Sequence, residues 1–326
     1  MSSFIGCSLP NENKKRLALF FVMLVYLSLN GQDQMIQSLG NLDEQHTSIA
    51  IANDLSFNQA GGHLQGIQVI AEDGHDIVIV SGSTNQAAYV ATITLDTNPQ
   101  VNTVFNLMEK PFKHAGGFQV SDHYLAVGIE DNEARDRSVV QIYDLTKIRE
   151  SGPLLINEVS RFGAYERPTA GCVALAYHQD RWLCIVGNWH TKDLDFYTSE
   201  SFHRESSLDL VQTVTPRDSA RSDWSNRQWL SYQNINLHAH DGVLYFIGFA
   251  KNDQGVNIAD LFLISERDGK YSLRKIFSKV FESNGCDFSL GTGAVFSQGK
   301  IKMIIGSDRN LTPVSNVYLF DSIGKN

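Results

Sequence analysis

Short apolar runs broken by polar turns recur along this chain in one fixed order. A small-residue strand opens near a glycine, then come a turn, a bulkier apolar strand, a polar loop and another strand. Five copies begin at HLQGIQVIAEDGHDIVIVSGS (from His63), HAGGFQVSDHYLAVGIED (from His114), TAGCVALAYHQDRWLCIVGNW (from Thr169), YQNINLHAHDGVLYFIGFAK (from Tyr232) and FSLGTGAVFSQGKIKMIIGSD (from Phe288). Their starts lie roughly 50 to 60 residues apart, a period that marks a repeat architecture. First strands such as GFQVS and TGAVF are small and apolar, whereas second strands such as WLCIVG and VLYFIGF are branched and aromatic. Runs of this length bounded by Asp, Gly, Asn and Ser predict strands buried on both faces. Alternation marks third strands, as in YVATITLD and ADLFLISE, and outer fourth strands follow in NTVFNLM, LLINEVSRF, LDLVQTV and LRKIFSKVF.

Four strands per repeat and five repeats predict an all-β, five-bladed β-propeller. Residues 32–326 form one domain in this reading, because a blade buries its faces only against neighbouring blades. The fifth copy ends soon after its third strand, so SIAIAND, residues 48–54, is expected to donate the missing outer strand and close the ring. Closure of that kind removes open sheet edges. One insertion interrupts the rhythm. TVTPRDSARSDWSNRQWLS, before Tyr232, is about ten residues longer than the matching connections and carries Arg217, Asp218, Arg221, Asp223, Trp224, Arg227 and Trp229. Long loops inside compact domains are frequently functional.

The N-terminus has a different pattern. Lys14, Lys15 and Arg16 precede the apolar run from Leu17 to Leu29, and Asn30, Gly31 and Gln32 follow it. A run of that length is shorter than the ~20 residues of a membrane span and reads as a secretory signal peptide over residues 1–31. An uncleaved signal anchor is the rival reading. The expected location is secreted or periplasmic, with no later membrane span. Hydrophobic residues at 42% against 19% charged exclude a chain that is mainly disordered. Cleavage leaves 24 basic against 35 acidic residues, a balance that repels phosphate backbones and excludes nucleic acid as a partner. Cys172, Cys184 and Cys286 remain. Cys172 and Cys184 fall on neighbouring strands of the third repeat, where either a cross-strand disulfide or two buried thiols fits.

In a propeller, the connection into the innermost strand and the one between the second and third strands share one end of the ring. His63, His114, Arg167, Tyr232 and Asp287 lie in the first kind of connection. Ser83, Thr84, Asn85, Glu130, Asp131, Asn188, Trp189, His190, Lys251, Asn252, Asp308 and Arg309 lie in the second. The opposite end holds turn pairs, Asp73 with Gly74, Asp241 with Gly242 and Gln298 with Gly299, and His123, His178, His238 and His240 are expected at its surface. The functional face is therefore expected at the first end. His63 and His114 share a repeat position and, with Glu130 or Asp131, could hold a divalent metal. They could equally cap strands. Gln68, Gln119 and Asn236 align within the first strands, where an amide bonds either a ligand or the neighbouring blade's backbone.

Carboxylates at that end are Glu130, Asp131, Asp287 and Asp308. Two of them across a channel would suit glycosidic hydrolysis, and in architecture the chain resembles the five-bladed glycosidases, whose acids project into a central pocket. Their Asp, Asp and Glu positions are not matched here. No GxSxG, Walker or GxGxxG motif is present. The leading expectation is a small-molecule, glycan or protein ligand bound through His63, His114, Arg167, Trp189, His190, Trp229, Tyr232, Lys251 and Arg309. The alternative is a carbohydrate-active hydrolase or lyase using the carboxylates and histidines of the same face.

Overall fold

The computed structural model describes residues 31–326 except 56–59, 73, 204–205, 219–220 and 323–326. The predicted signal peptide lies almost wholly outside the described residues. The chain is a β-propeller of antiparallel four-stranded blades. Blade 1 is β2 (Leu64–Glu72), β3 (His75–Ser83), β4 (Ala87–Thr94) and β5 (Gln100–Glu109). Blade 2 is β6 (His114–Ser121), β7 (Tyr124–Glu130), β8 (Arg137–Asp144) and β9 (Leu154–Phe162). Blade 3 is β10 (Cys172–His178), β11 (Arg181–Gly187), β12 (Leu194–Ser199) and β13 (Asp209–Val214). Blade 4 is β14 (Asn234–His240), β15 (Val243–Lys251), β16 (Asn257–Arg267) and β17 (Lys270–Phe281). Blade 5 is β18 (Thr292–Ser297), β19 (Lys300–Ser307), β20 (Val314–Asp321) and β1 (Thr47–Ala52).

The closure expected from the sequence is present. β1 pairs antiparallel with β20 from Thr47 opposite Leu319 to Ala52 opposite Val314, and Ile51 is buried at 1% exposure. A helix over residues 31–40, α1, was not foreseen; Met35 and Leu39 on it seal the core between blades 4 and 5 beside Tyr245, Phe281 and Ile301.

The second strands are buried along almost their whole length, as their aromatic and branched composition requires, whereas outer strands such as β9 and β13 are largely exposed. Aromatic side chains fill the gap between blades 3 and 4, where Phe246, Phe262, Tyr232 and Trp229 meet edge to face. Cys172 and Cys184 are free thiols. The register sets Cys172 opposite Gly187 and Cys184 opposite Leu175. Their side chains enter separate core clusters, so the disulfide reading is replaced by the buried-thiol one.

The inner strands converge at the expected functional end. Single parallel pairs join Gly66 to Thr292 and Gly117 to Cys172, and Gly117 N–H donates to Gly171 O at 2.9 Å. A Cβ on Gly116 would fall on the carbonyl oxygens of Gly171 and Ala170; only glycine permits that approach. Below this pinch the aligned amides cross the axis. Gln119 accepts from Leu175 N–H (3.0 Å) and Leu237 N–H (2.7 Å) and donates to Leu237 O (2.7 Å). Asn236 Oδ1 accepts from Gln68 (3.3 Å) and from Ala294 N–H (2.8 Å). The three amides thus bind blade to blade.

Candidate functional site

A surface constellation at the expected face joins three loops of blades 2 and 3. The Arg135 guanidinium lies 3.7 Å from the Trp189 ring centroid. It donates to the Tyr165 hydroxyl (2.9 Å) and to Glu166 Oε1 (3.1 Å), while Lys192 Nζ donates to Glu166 Oε2 (2.6 Å). The hydrogen bond from Lys192 holds the Glu166 carboxyl below its ordinary range. His190, exposed beside Trp189, sits 2.7 Å from Ser231 Oγ, and Tyr165 is 63% exposed.

The backbone of this rim is held in unfavourable conformations. Arg135 (φ 56°), Glu166 (φ 64°), His190 (φ 58°) and Thr191 (φ 48°) are all left-handed. For a β-branched residue such as Thr191 that conformation is a strained one. The fold holds it there: Thr191 Oγ1 donates to His190 O (2.8 Å) and accepts from Tyr232 N–H (3.0 Å), and Trp229 Nε1 donates to Thr191 O (2.9 Å). Most other left-handed non-glycine residues, such as Asp122, Asp180, Asp241, Asp268 and Gln298, sit in hairpin turns, where that conformation is ordinary.

His63 and His114 do converge, with ring centroids 5.3 Å apart. Their nitrogens are largely engaged: His63 Nδ1 is 3.0 Å from Leu64 O, His114 Nδ1 is 3.3 Å from Ser83 Oγ, and His114 Nε2 is 3.8 Å from Glu130 Oε1. Glu130 is 1% exposed and accepts from Ala170 N–H at 2.9 Å. Burial pushes its carboxyl up to about 7, against the pull of the Ala170 hydrogen bond. Burial also drives His114 down to about 3. Both groups are neutral in most of the range between those values, which suits an interior that would penalise either charge. Among the described residues no three ligating side chains gather at metal-binding spacing.

The other carboxylates are committed to the fold. Asp131 accepts from Arg137 (2.8 Å) and from the backbone of Glu133 (3.2 Å) and Ala134 (3.0 Å); these contacts outweigh its partial burial and lower its pKa. Asp308 accepts from Asn316 N–H (2.7 Å) and the Tyr318 hydroxyl (2.5 Å), pinning the β19–β20 loop. Asp287 accepts from Lys251 (2.8 Å) and Ser289 N–H (2.8 Å). Arg309 is exposed, and its carbonyl accepts from Leu64 N–H.

No protein-family model matches the chain, and no curated protein is significantly similar to it. Solved structures are similar to it in fold. The GH62 α-L-arabinofuranosidase catalytic domain from Coprinopsis cinerea has a TM-score of 0.50 and 9% identity, over 86% of this chain and 98% of that one. The α-L-arabinofuranosidase from Podospora anserina, solved with cellotriose, has a TM-score of 0.49 and 9% identity, over 86% and 98%. A bifunctional GH43-CE protein from Bacteroides eggerthii has a TM-score of 0.48 and 12% identity over 84% of this chain, which spans about a third (34%) of that protein. The likeness to the Coprinopsis domain is one of fold. Among the described residues no helix is long and apolar enough to cross a membrane.

Two charged clusters escaped the sequence reading. Asp195 on β12 joins Arg161 and Arg167, the latter at 2.6 and 2.8 Å, with Thr213 Oγ1 at 2.6 Å. Arg167, expected at a ligand surface, is thereby tied across blade 3. Burial would raise the Asp195 carboxyl, but the Arg167 hydrogen bonds and the Arg161 charge hold it down. On blade 4, Asp260 accepts from Lys275 (2.7 Å) and the Tyr232 hydroxyl (2.5 Å), and Lys275 is fully buried. Lys275 also donates to Asn226 Oδ1 (2.9 Å) and Gln228 O. It therefore straps the long insertion onto the blade. Tyr232 is 1% exposed and Trp229 packs against it, so these two serve the core under the rim. The signal was present in the sequence as basic residues inside the outer strands, Arg161 in LLINEVSRF and Lys275 in LRKIFSKVF.

Proposed function

We propose that this chain is a secreted, non-hydrolytic propeller that binds a carbohydrate on the rim formed by Trp189, Arg135, Tyr165, His190, Glu166 and Lys192. The carrying observation is that rim itself: exposed Tyr165 and His190 beside the half-buried Trp189, Arg135, Glu166 and Lys192, on loops whose Arg135, Glu166, His190 and Thr191 are left-handed. Aromatic faces stack on the C–H face of a sugar ring, while planar and charged groups pair with adjacent hydroxyls. Backbone strain that the surroundings over-determine is a feature of binding and catalytic loops. Glycoside hydrolysis is the second reading. One observation favours it, the Glu130 carboxyl raised to about 7, a value suited to a general acid. Against it stand the burial of Glu130 and the structural bonds of Asp131, Asp287 and Asp308.

A glycan screen followed by calorimetry tests the proposal. Trp189→Ala and Tyr165→Ala should each weaken binding by about 1 to 3 kcal/mol, as truncation of an interface anchor does. Glu130→Gln should leave binding unchanged. Turnover that Glu130→Gln abolishes would replace the binding reading with the hydrolytic one, and equal binding by the wild type and both aromatic variants would move the site off the rim. Mass spectrometry of the exported protein, expected to begin near Gln32, tests secretion.

A further inference from the structure

The long insertion before Tyr232 is fastened to blade 4 through Lys275, and the groups around that lysine are those of a reaction centre. Lys275 Nζ, fully buried, lies 2.7 Å from Asp260 Oδ2 and 2.9 Å from Asn226 Oδ1. Phe262 and Trp224 cover it, with ring centroids 5.4 and 5.9 Å from Nζ. Gln228 N–H donates to the same Asn226 oxygen at 3.2 Å. Ser225 N–H donates to the Lys275 carbonyl at 2.9 Å, which fixes the loop against the strand.

Two features go beyond what an ion pair requires. Asp260 Oδ2 accepts from both Lys275 and the Tyr232 hydroxyl, whereas Oδ1 is buried with no hydrogen-bond partner among the described residues. Such an oxygen is costly on a carboxylate and less so on a neutral carboxyl. Burial, with a smaller push from the Arg221 charge, also lowers Lys275 against the attraction of Asp260. A neutral amine, unlike an ammonium, has an electron pair to give.

We infer that Lys275 and Asn226 join in an autocatalytic isopeptide bond, with Asp260 moving the protons. Nζ passes a proton to Asp260 Oδ2, and its freed electron pair attacks Asn226 Cγ. The C=O π pair moves onto Oδ1, where the Gln228 N–H meets the developing charge. The Oδ1 pair then re-forms the carbonyl as the Cγ–Nδ2 bond breaks. Nδ2 leaves with the proton held by Asp260, and Asp260 takes a second proton from Nζ. The products are one secondary amide, one ammonia and a protonated Asp260; nothing is oxidised or reduced. Asn226 is half-buried, so the ammonia leaves to solvent. The reaction exchanges a buried ion pair for neutral groups, and the fixed contact supplies the proximity that an unactivated amide needs. The bond spans 49 residues. It anchors the insertion whose Trp229 Nε1 donates to Thr191 O beneath the rim.

Trypsin digestion of the full mature chain, followed by mass spectrometry, tests the bond. Trypsin does not cleave after an acylated lysine, so the expected product is one branched peptide, residues 222–227 (SDWSNR) joined to residues 275–279 (KIFSK). It should be lighter than the two together by one ammonia. The branched peptide is the readout rather than the whole-chain mass, because an N-terminal Gln32 or a succinimide at Asn226 also loses ammonia. Asp260→Asn retains both partners and should give only linear SDWSNR and IFSK. Asn226→Ala keeps the Lys275–Asp260 pair, should fold without the bond, and should melt below the bridged wild type, as expected when a long loop is no longer closed. The inference falls if folded wild type yields linear SDWSNR and no branched peptide, or if folded Asp260→Asn forms the bond to the same extent.

Discussion

The two ends of the axis are made from the same five inner strands, yet they differ in what their polar groups are free to do. At the rim end the backbones close to glycine distance, and nearly every carboxylate that looked reactive in the sequence is bonded to an arginine, a lysine or a turn amide. At the other end the lining mixes Gln68, Gln119, Ser121 and Asp122 with apolar side chains, and the His238 Nε2 is buried without a partner. A polar residue in a loop is thus a poor guide to function until its hydrogen bonds are counted. Asp131 and Asp308 have the composition of a catalytic pair and the bonding of turn caps. On the Trp189 rim the side chains that stay exposed are Tyr165 and His190.

The most severe break of this comparison is made at the pinch. A valine at Gly116 would place its side chain on the carbonyls of Gly171 and Ala170. Backbone cannot move there without parting blades 2 and 3. Gly116→Val should cost about 4 kcal/mol or more, read as loss of the cooperative urea transition or a large drop in its midpoint. A variant that melts with the wild type would show that the inner strands can separate at this end as well.

Next in size is the buried pair beneath the rim. Lys275→Met leaves the Asp260 carboxylate buried with the Tyr232 hydroxyl still donating to it, and removes the strap to Asn226 and Gln228. Breaking a buried pair from one side costs about 3 to 5 kcal/mol. Lys275→Met with Asp260→Leu should recover much of that loss, because it also removes the stranded charge. If the single variant costs less than about 1 kcal/mol, water reaches Asp260 and the cluster is less dry than its burial implies.

How much of this was legible follows from where each signal resides. Strand order, the repeat and the donated β1 depend on apolar periodicity, which a sequence carries openly; SIAIAND pairs with β20 as its pattern required. The shared position of His63 and His114 was legible for the same reason, since repeats place equivalent residues side by side. Partner choice was not. Arg161 and Asp195 are 34 residues apart, and Lys275 meets a carboxylate on the neighbouring strand and a loop 49 residues back. Nothing local in the sequence joins them. Helix α1 was hidden because GQDQMIQSLG offers only a short apolar stripe, Met35, Ile36 and Leu39, whose helicity depends on docking against blades 4 and 5.

A pH experiment sharpens the contrast between buried and open groups. Glu130 has its carboxyl raised from 4.5 to about 7, so between those values the folded chain holds a proton that the unfolded chain has lost. Stability from this group is present below 4.5 and is lost as pH rises towards 7. His114, lowered from 6.5 to about 3, acts the other way: it costs stability as pH falls below 6.5. Glu130→Gln removes the first effect and leaves the second. Its thermal midpoint should exceed that of the wild type at pH 8, by an amount worth up to about 3 kcal/mol, with a smaller gain at pH 5. Equal gains at both values would mean that the carboxyl does not titrate in this window.

The smallest effect is expected on the blade 4 and 5 side of the rim end, where Lys251 and Asp287 form a pair with side chains 28% and 30% exposed. A pair so open to solvent contributes about 0.2 to 1 kcal/mol. Lys251→Ala should therefore shift the thermal midpoint by a degree or two at most, which is about what that energy gives for a domain of this size. It should also leave carbohydrate binding as it was, because the strained residues and the Arg135–Trp189 stack lie across the ring on blades 2 and 3. The same glycan titration is decisive in both directions. If Lys251→Ala weakens binding tenfold while Trp189→Ala does not, the ligand sits over the Lys251, Asp287 and Arg309 side, and the left-handed backbone of the opposite rim serves the fold alone.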